Sequence, residues 1–128
     1  MVAVIAAGVI PAAAADNDGV CNTGERCGWR DSFENGSLAD YGGNDVNFTS
    51  GGNDGMYLSG GILDVTNSGD RISSVENRET VTIWWHADSN CGGDDTPLAA
   101  GADLDTMPGG AGDVGDNEAS SEYTATSC

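Results

Sequence analysis

The sequence predicts an all-β domain, a sandwich of short strands held by disulfides. Three observations carry this. After Asp16 no segment places apolar residues at helical spacing; short apolar runs recur instead, separated by Gly, Asn, Asp and Ser. Glycine supplies 20 of the 128 residues, which suits tight hairpins and bends. A unit of aromatic strand, glycine-containing hairpin and acid-x-x-Ser-Ser segment occurs twice, in the same order.

The chain opens on an apolar run, Val2 to Ile10, broken by Pro11 and followed by Ala13, Ala14 and Ala15 ahead of Asp16. The run is too short to span a bilayer. Its form is that of the h-region and cleavage site of a secretory signal, so residues 1–15 are expected to be a signal peptide and the protein extracellular. The basic n-region of such a signal is missing, which points to a start further upstream. Residues 16–128 are expected to form one domain.

Four cysteines follow: Cys21, Cys27, Cys91 and Cys128. An even count in a small exported chain points to two disulfides, with three connectivities to choose from. Local pairing of Cys21 with Cys27, around a turn at Gly24, is the simplest and leaves Cys91 with Cys128. The CxxC spacing of a zinc site is absent.

The expected strands lie in the apolar runs Cys27–Trp29, Val46–Phe48, Met56–Leu58, Ile62–Val65, Ile72–Val75, Val81–Trp85, Leu98–Ala100 and Ala119–Tyr123. In Val81–Trp85 the alternation puts Val81, Ile83 and Trp85 on one face and Thr82 and Trp84 on the other. The Gly-, Ala- and Asp-rich stretch from Ala100 to Gly115 carries no pattern and reads as a loop.

Composition pulls the other way. The chain has 21 acidic residues, four arginines and no lysine, a net charge of −17. Charge that high with so few large apolar residues is the signature of disorder. It excludes nucleic acid as a partner, since phosphate binding needs clustered Lys and Arg. It excludes an anionic membrane surface on the same ground. The single histidine, His86, rules out multi-histidine metal chemistry. No nucleophile, base and orienting group stand out together, so the protein is not expected to be an enzyme. Cationic partners remain.

The repeat sets Gly69-Asp70-Arg71-Ile72-Ser73-Ser74 beside Asp116-Asn117-Glu118-Ala119-Ser120-Ser121. Each follows an aromatic strand and a hairpin: Trp29 to Phe33 and Gly36 in the first half, Trp85 to Gly92 and Gly93 in the second. This pair of units resembles the βγ-crystallin superfamily, whose domains hold two Greek-key motifs. Its calcium-binding branch carries (N/D)-(N/D)-x-x-(S/T)-S in each motif. Residues 116–121 meet that pattern in full; residues 69–74 meet all but the first position. The resemblance implies a two-Greek-key sandwich, with motif one over about 21–78 and motif two over about 79–128.

A narrower resemblance lies in Cys21-Asn-Thr-Gly-Glu-Arg-Cys27-Gly-Trp29, in residues 70–77 and in Asp88-Ser-Asn-Cys-Gly-Gly93. These are similar to segments of the secreted actinobacterial crystallin-like peptidase inhibitors, whose type member inhibits metalloproteinases. The chain departs from the crystallin pattern in both hairpins. Phe33 follows Trp29 by four residues where the pattern has five. Cys91 stands where an aromatic is expected, and the position of Asp88-Ser-Asn, further from Trp85 than expected, implies a one-residue shift or bulge.

The resemblance implies calcium, a hard cation that takes six to eight oxygens at about 2.3–2.6 Å. One clamp is expected from Asp116, Asn117 and Ser120 with the Glu118 carbonyl. The other is expected from Asp70 and Ser73 with the Arg71 carbonyl, weakened because Gly69 supplies no oxygen. The hairpin of the opposite motif is expected to complete each. Ser74 and Ser121 are expected to be structural hydrogen-bonders. The functional expectation is a secreted peptidase inhibitor directed at extracellular metalloproteinases, its inhibitory loop unassigned. The alternative is a calcium-binding structural module without inhibitory activity. Folding is expected to depend on oxidation and on calcium or high ionic strength, two bound calcium ions lowering the charge to −13.

Overall fold

The computed structural model describes residues 18–49, 55–110 and 112–128. The expected signal peptide, residues 1–15, lies outside them. The first half of the chain forms β1 (Arg26–Asp31), β2 (Asn35–Tyr41), β3 (Met56–Leu58), β4 (Ile62–Val65) and β5 (Ser74–Asn77). The second half forms β6 (Ile83–Asp88), β7 (Gly92–Leu98), β8 (Asp103–Leu104) and β9 (Ser121–Tyr123).

Two sheets result, with strand orders β4-β3-β2-β1-β5-β8 and β7-β6-β9. The halves exchange edges. Strand β8 of the second half pairs with β5 of the first, Val75 opposite Leu104. Asp45 of the first half bridges Glu122 of the second. Each half thus completes the other's sheet, and the outcome is two interlocked Greek keys. The β3–β4 hairpin extends the first sheet beyond β2.

The two keys repeat each other in detail. Both main hairpins carry a bulge at the same place, between Trp29 and Asp31 and between His86 and Asp88. Both tips hold two consecutive residues in the left-handed region, Phe33 and Glu34 in one and Asn90 and Cys91 in the other. Each tip is tied to the opposite half: the Phe33 amide donates to the Asp105 carbonyl at 2.7 Å, and the Asn90 amide to the Val46 carbonyl at 2.6 Å. The structural counterpart of Trp29 is therefore His86, one residue beyond the Trp85 that sequence alignment selects. The second hairpin is expected to carry a one-residue shift or a bulge; a register shift is present in both.

The core lies between the sheets, where Tyr41, Phe48 and Trp85 meet Ile72, Ile83 and Val114. Tyr41 stacks on Phe48, whose ring meets Trp85 edge-on. Gly28 permits this closeness, since a Cβ there would lie 2.6 Å from Ile72 Cδ1. A second small cluster, Cys27, Trp29 and Leu38 with Cys21, covers the outer face of the first sheet. The disulfides are Cys21–Cys27 and Cys91–Cys128.

Between the sheets Arg26 reaches across to Glu122 at 2.7 Å and Asn44 at 2.5 Å, and also pairs with Glu79. Burial pushes the Glu122 carboxyl up to about 8, against the pull of Arg26. The Arg26–Glu122 contact ties the first strand of one key to the last strand of the other.

Several expectations need correction. The stretch from Ala100 to Gly115 is not a plain loop: it contains β8, and Met107 and Val114 are buried in the core. Strand β2 and most of β7 fall outside the apolar runs. Their buried positions include Ser37, Asp40 and Thr96, whose polar groups find hydrogen bonds or neighbours inside the fold. Val46–Phe48 is no regular strand; only Asp45 beside it forms a bridge. Val81 precedes β6 and is exposed, while Ile83 and Trp85 are buried as their alternation requires. The disorder that composition favours is overridden by this core and the two disulfides.

Candidate cation site

The acid-x-x-Ser-Ser segments lie side by side where the two keys meet. The Asp70 amide donates to the Ala119 carbonyl at 3.0 Å, and the Asn117 amide to the Ile72 carbonyl at 3.0 Å. Asp70 and Asn117 both sit in the left-handed region, at φ 54° and 57°, which Asp and Asn tolerate better than other side chains. The last serine of each segment starts a strand and pins a hairpin. Ser74 Oγ donates to the Asp31 carbonyl at 2.7 Å and accepts from the Glu34 amide at 3.0 Å. Ser121 Oγ donates to the Asp88 carbonyl at 2.7 Å and accepts from the Cys91 amide at 3.2 Å.

The preceding serines bond to residues that line two recesses. In the first, Ser73 Oγ donates to the Arg30 carbonyl at 2.8 Å and lies 3.4 Å from Asn117 Oδ1. In the second, Ser120 Oγ donates to Asp70 Oδ1 at 3.0 Å and lies 3.4 Å from the Glu118 carbonyl. These hydrogen bonds pair residues across the two segments, where the sequence expectation kept each segment together. Asn117 Oδ1 lies beside Ser73 Oγ, and Asp70 Oδ1 accepts from Ser120 Oγ, while Asp70 lines both recesses. The antiparallel packing of the segments causes the exchange, because it sets the second residue of each beside the serine of the other. The hairpin that completes each recess comes from the same motif as its serine, not from the opposite one. Asp116 is exposed and lines neither recess. At Gly69 a Cβ would lie 2.6 Å from Thr49 Cγ2, so a larger residue there requires the exposed Thr49 side chain to turn.

The recesses differ in charge. The first is lined by Arg30, Asp31, Asp70, Arg71 and Asn117, two acidic residues beside two basic ones, the Arg30 guanidinium pairing with Asp64. Arg71 Nε is buried there without a hydrogen-bond partner among the described residues. The second is lined by Asp70, Ala87, Asp88, Gly93, Asp94 and Glu118, four carboxylates and no base. Crowded carboxylates repel one another, and a divalent ion among them removes that repulsion while taking the oxygen ligands it prefers. The donors on the second recess are all hard oxygens, which fits calcium or magnesium and not a soft metal.

Sequence reasoning missed Asp88 and Asp94, which the hairpin brings to the recess from outside the repeated segment. It also missed a third acidic group, Glu34, Asp103 and Asp105, whose carboxylates approach within 4.8 Å of one another. Burial pushes the Glu34 carboxyl up, with the charges of Asp105, Asp103 and Glu76 acting the same way.

No family model matches the sequence, and no curated protein matches it. Solved structures do. A βγ-crystallin domain from work on the evolution of the eye-lens fold superposes with a TM-score of 0.60 at 15% identity, covering 87% of this chain and 95% of that one. A βγ-crystallin from Ciona intestinalis gives 0.56 at 17% identity, over 80% and 100%. An archaeal βγ-crystallin gives 0.55 at 19% identity, over 81% and 100%. The chain has the βγ-crystallin fold. The β3–β4 hairpin lies in the link between the Asp45 bridge and β5 of the first key.

Proposed function

We propose that the protein is an extracellular calcium-binding βγ-crystallin-type module whose principal site is the second recess. The observation that carries this is that Ser120 Oγ lies within hydrogen-bonding distance of Asp70 Oδ1 and the Glu118 carbonyl, two residues that line a recess together with Asp88 and Asp94. The site draws Asp70 from the first key and the rest from the second, so a bound ion ties the keys together. The first recess, with its amide and two arginines, is the weaker. Two disulfides suit an oxidising compartment. Calorimetric titration with calcium tests the reading. Ser120→Ala is expected to remove most of the binding heat and Ser73→Ala little of it. Absence of heat with the intact oxidised protein at millimolar calcium refutes the reading.

A second reading, inhibition of an extracellular metalloproteinase, is favoured by one feature. The tip of the β1–β2 hairpin is held by amide bonds to the Asp105 carbonyl of the second key and the Ser74 hydroxyl of the first, and presents Phe33 to solvent, 65% exposed. A pre-ordered loop loses little entropy on docking. Titration of a thermolysin-like and a subtilisin-like peptidase with the oxidised protein tests it, and no inhibition of either at large molar excess sinks it.

A further inference from the structure

We propose that Phe33 is the anchor by which the protein docks on its target, and that it enters an apolar pocket rimmed by basic groups on an extracellular metalloproteinase. This rests on the inhibitor reading. The two hairpins supply the comparison. At the same place in the fold, both must adopt two consecutive left-handed residues. The second hairpin begins that pair with Asn90, a residue suited to the conformation. The first begins it with Phe33, bulky, at φ 60° and 65% exposed. Phenylalanine here opposes the backbone preference and recovers little burial within the chain. Backbone outliers of this kind, held by surrounding bonds, cluster at functional sites.

The holding bonds are present. The Phe33 amide is fixed by Asp105, Ser74 fixes Glu34, and the Asn35 side-chain amide donates to the Ser32 and Phe33 carbonyls at 3.1 and 3.0 Å. The ring is thus presented on a tip that is already ordered, the property that makes an aromatic side chain a strong contributor to binding. Beside it lie Glu34, Asp103 and Asp105. They call for Lys or Arg around the receiving pocket and disfavour a second copy of this −17 chain. The left-handed backbone at Phe33 also departs from the extended form in which peptides add to a sheet edge. Phe33 therefore fills a pocket without offering its own peptide bond for cleavage.

Inhibition of a thermolysin-like peptidase by the oxidised wild type, Phe33→Asn and Phe33→Leu, with melting temperatures of all three, tests the proposal. Phe33→Asn is expected to weaken inhibition by about thirtyfold or more and to raise the melting temperature by about 4 °C. Phe33→Leu is expected to keep inhibition within about tenfold. Inhibition by the wild type that Phe33→Asn leaves intact overturns the anchor alone. A wild type that inhibits nothing overturns the inhibitor reading and the anchor with it. A lowered melting temperature in Phe33→Asn overturns the claim that Phe33 serves nothing within the fold.

Discussion

Ser120 of the second Greek key donates its hydroxyl to the Asp70 carboxylate of the first, at 3.0 Å. The bond crosses from one motif to the other, and its mirror contact, Ser73 to Asn117 at 3.4 Å, crosses the other way. The two recesses are therefore properties of the pair of keys and not of either repeated segment. Asp70 lines both recesses; the second adds Asp88, Asp94 and Glu118 to it, where the first adds Arg30 and Arg71, and this makes the second the better cation site.

Ser74 and Ser121 each satisfy a carbonyl and an amide at a hairpin, and both are fully buried. Replacing either by alanine leaves two backbone groups without their partner. Each substitution is expected to cost about 1–3 kcal/mol, measured by urea denaturation at fixed calcium. A smaller loss for both would mean that water replaces the hydroxyl and that the hairpins are not pinned by it.

Asp40 is fully buried in β2, with the Asp18 amide donating to Oδ2 at 2.9 Å and Oδ1 without a hydrogen-bond partner. Burial pushes its carboxyl up to about 7 from 3.8, against the pull of the Asp18 amide. The folded state thus holds the proton more tightly than the unfolded one. Its contribution is fully present below pH 3.8 and is lost as pH rises through about 7. Asp40→Asn is expected to melt like the wild type near pH 4 and to gain on the order of 2 kcal/mol at pH 8. Parallel pH profiles for the two proteins would contradict this.

The Cys91–Cys128 bridge fastens the last residue of the chain to the β6–β7 hairpin, which lines the second recess. In the chain-entropy model a loop of that length contributes about 3–4 kcal/mol. The double variant Cys91→Ser, Cys128→Ser is expected to lose about that much stability in thermal melts and to bind calcium more weakly. Unchanged stability would show that the unfolded chain is not constrained by the bridge.

The strands that sequence reveals are those built from apolar residues. Met56–Leu58 and Ile62–Val65 match β3 and β4 at both ends. Strand β2 was not legible because Ser37 and Asp40 are buried there as polar residues, and burial of polar groups leaves no alternation to read. The stretch after Ala100 hid β8 for a different reason: two residues pair with β5 through backbone bonds that any side chain allows. The repeated segments revealed Asp70, Asn117, Ser73 and Ser120. Their crosswise grouping follows from packing between the keys, which spacing along the chain does not encode. Likewise Asp88 and Asp94 join the recess only once the hairpin folds over it.

The central claim is that a divalent cation in the second recess binds the two keys together. Thermal melting of the oxidised protein with millimolar calcium, and with a chelator in its place, measures this most directly. Calcium at a hundredfold excess over its dissociation constant stabilises by about 2.7 kcal/mol, so the midpoint is expected to rise by roughly 10 °C. Ser120→Ala should lose most of that rise and Asn117→Ala should keep it. Identical melting with calcium and with chelator would contradict the account.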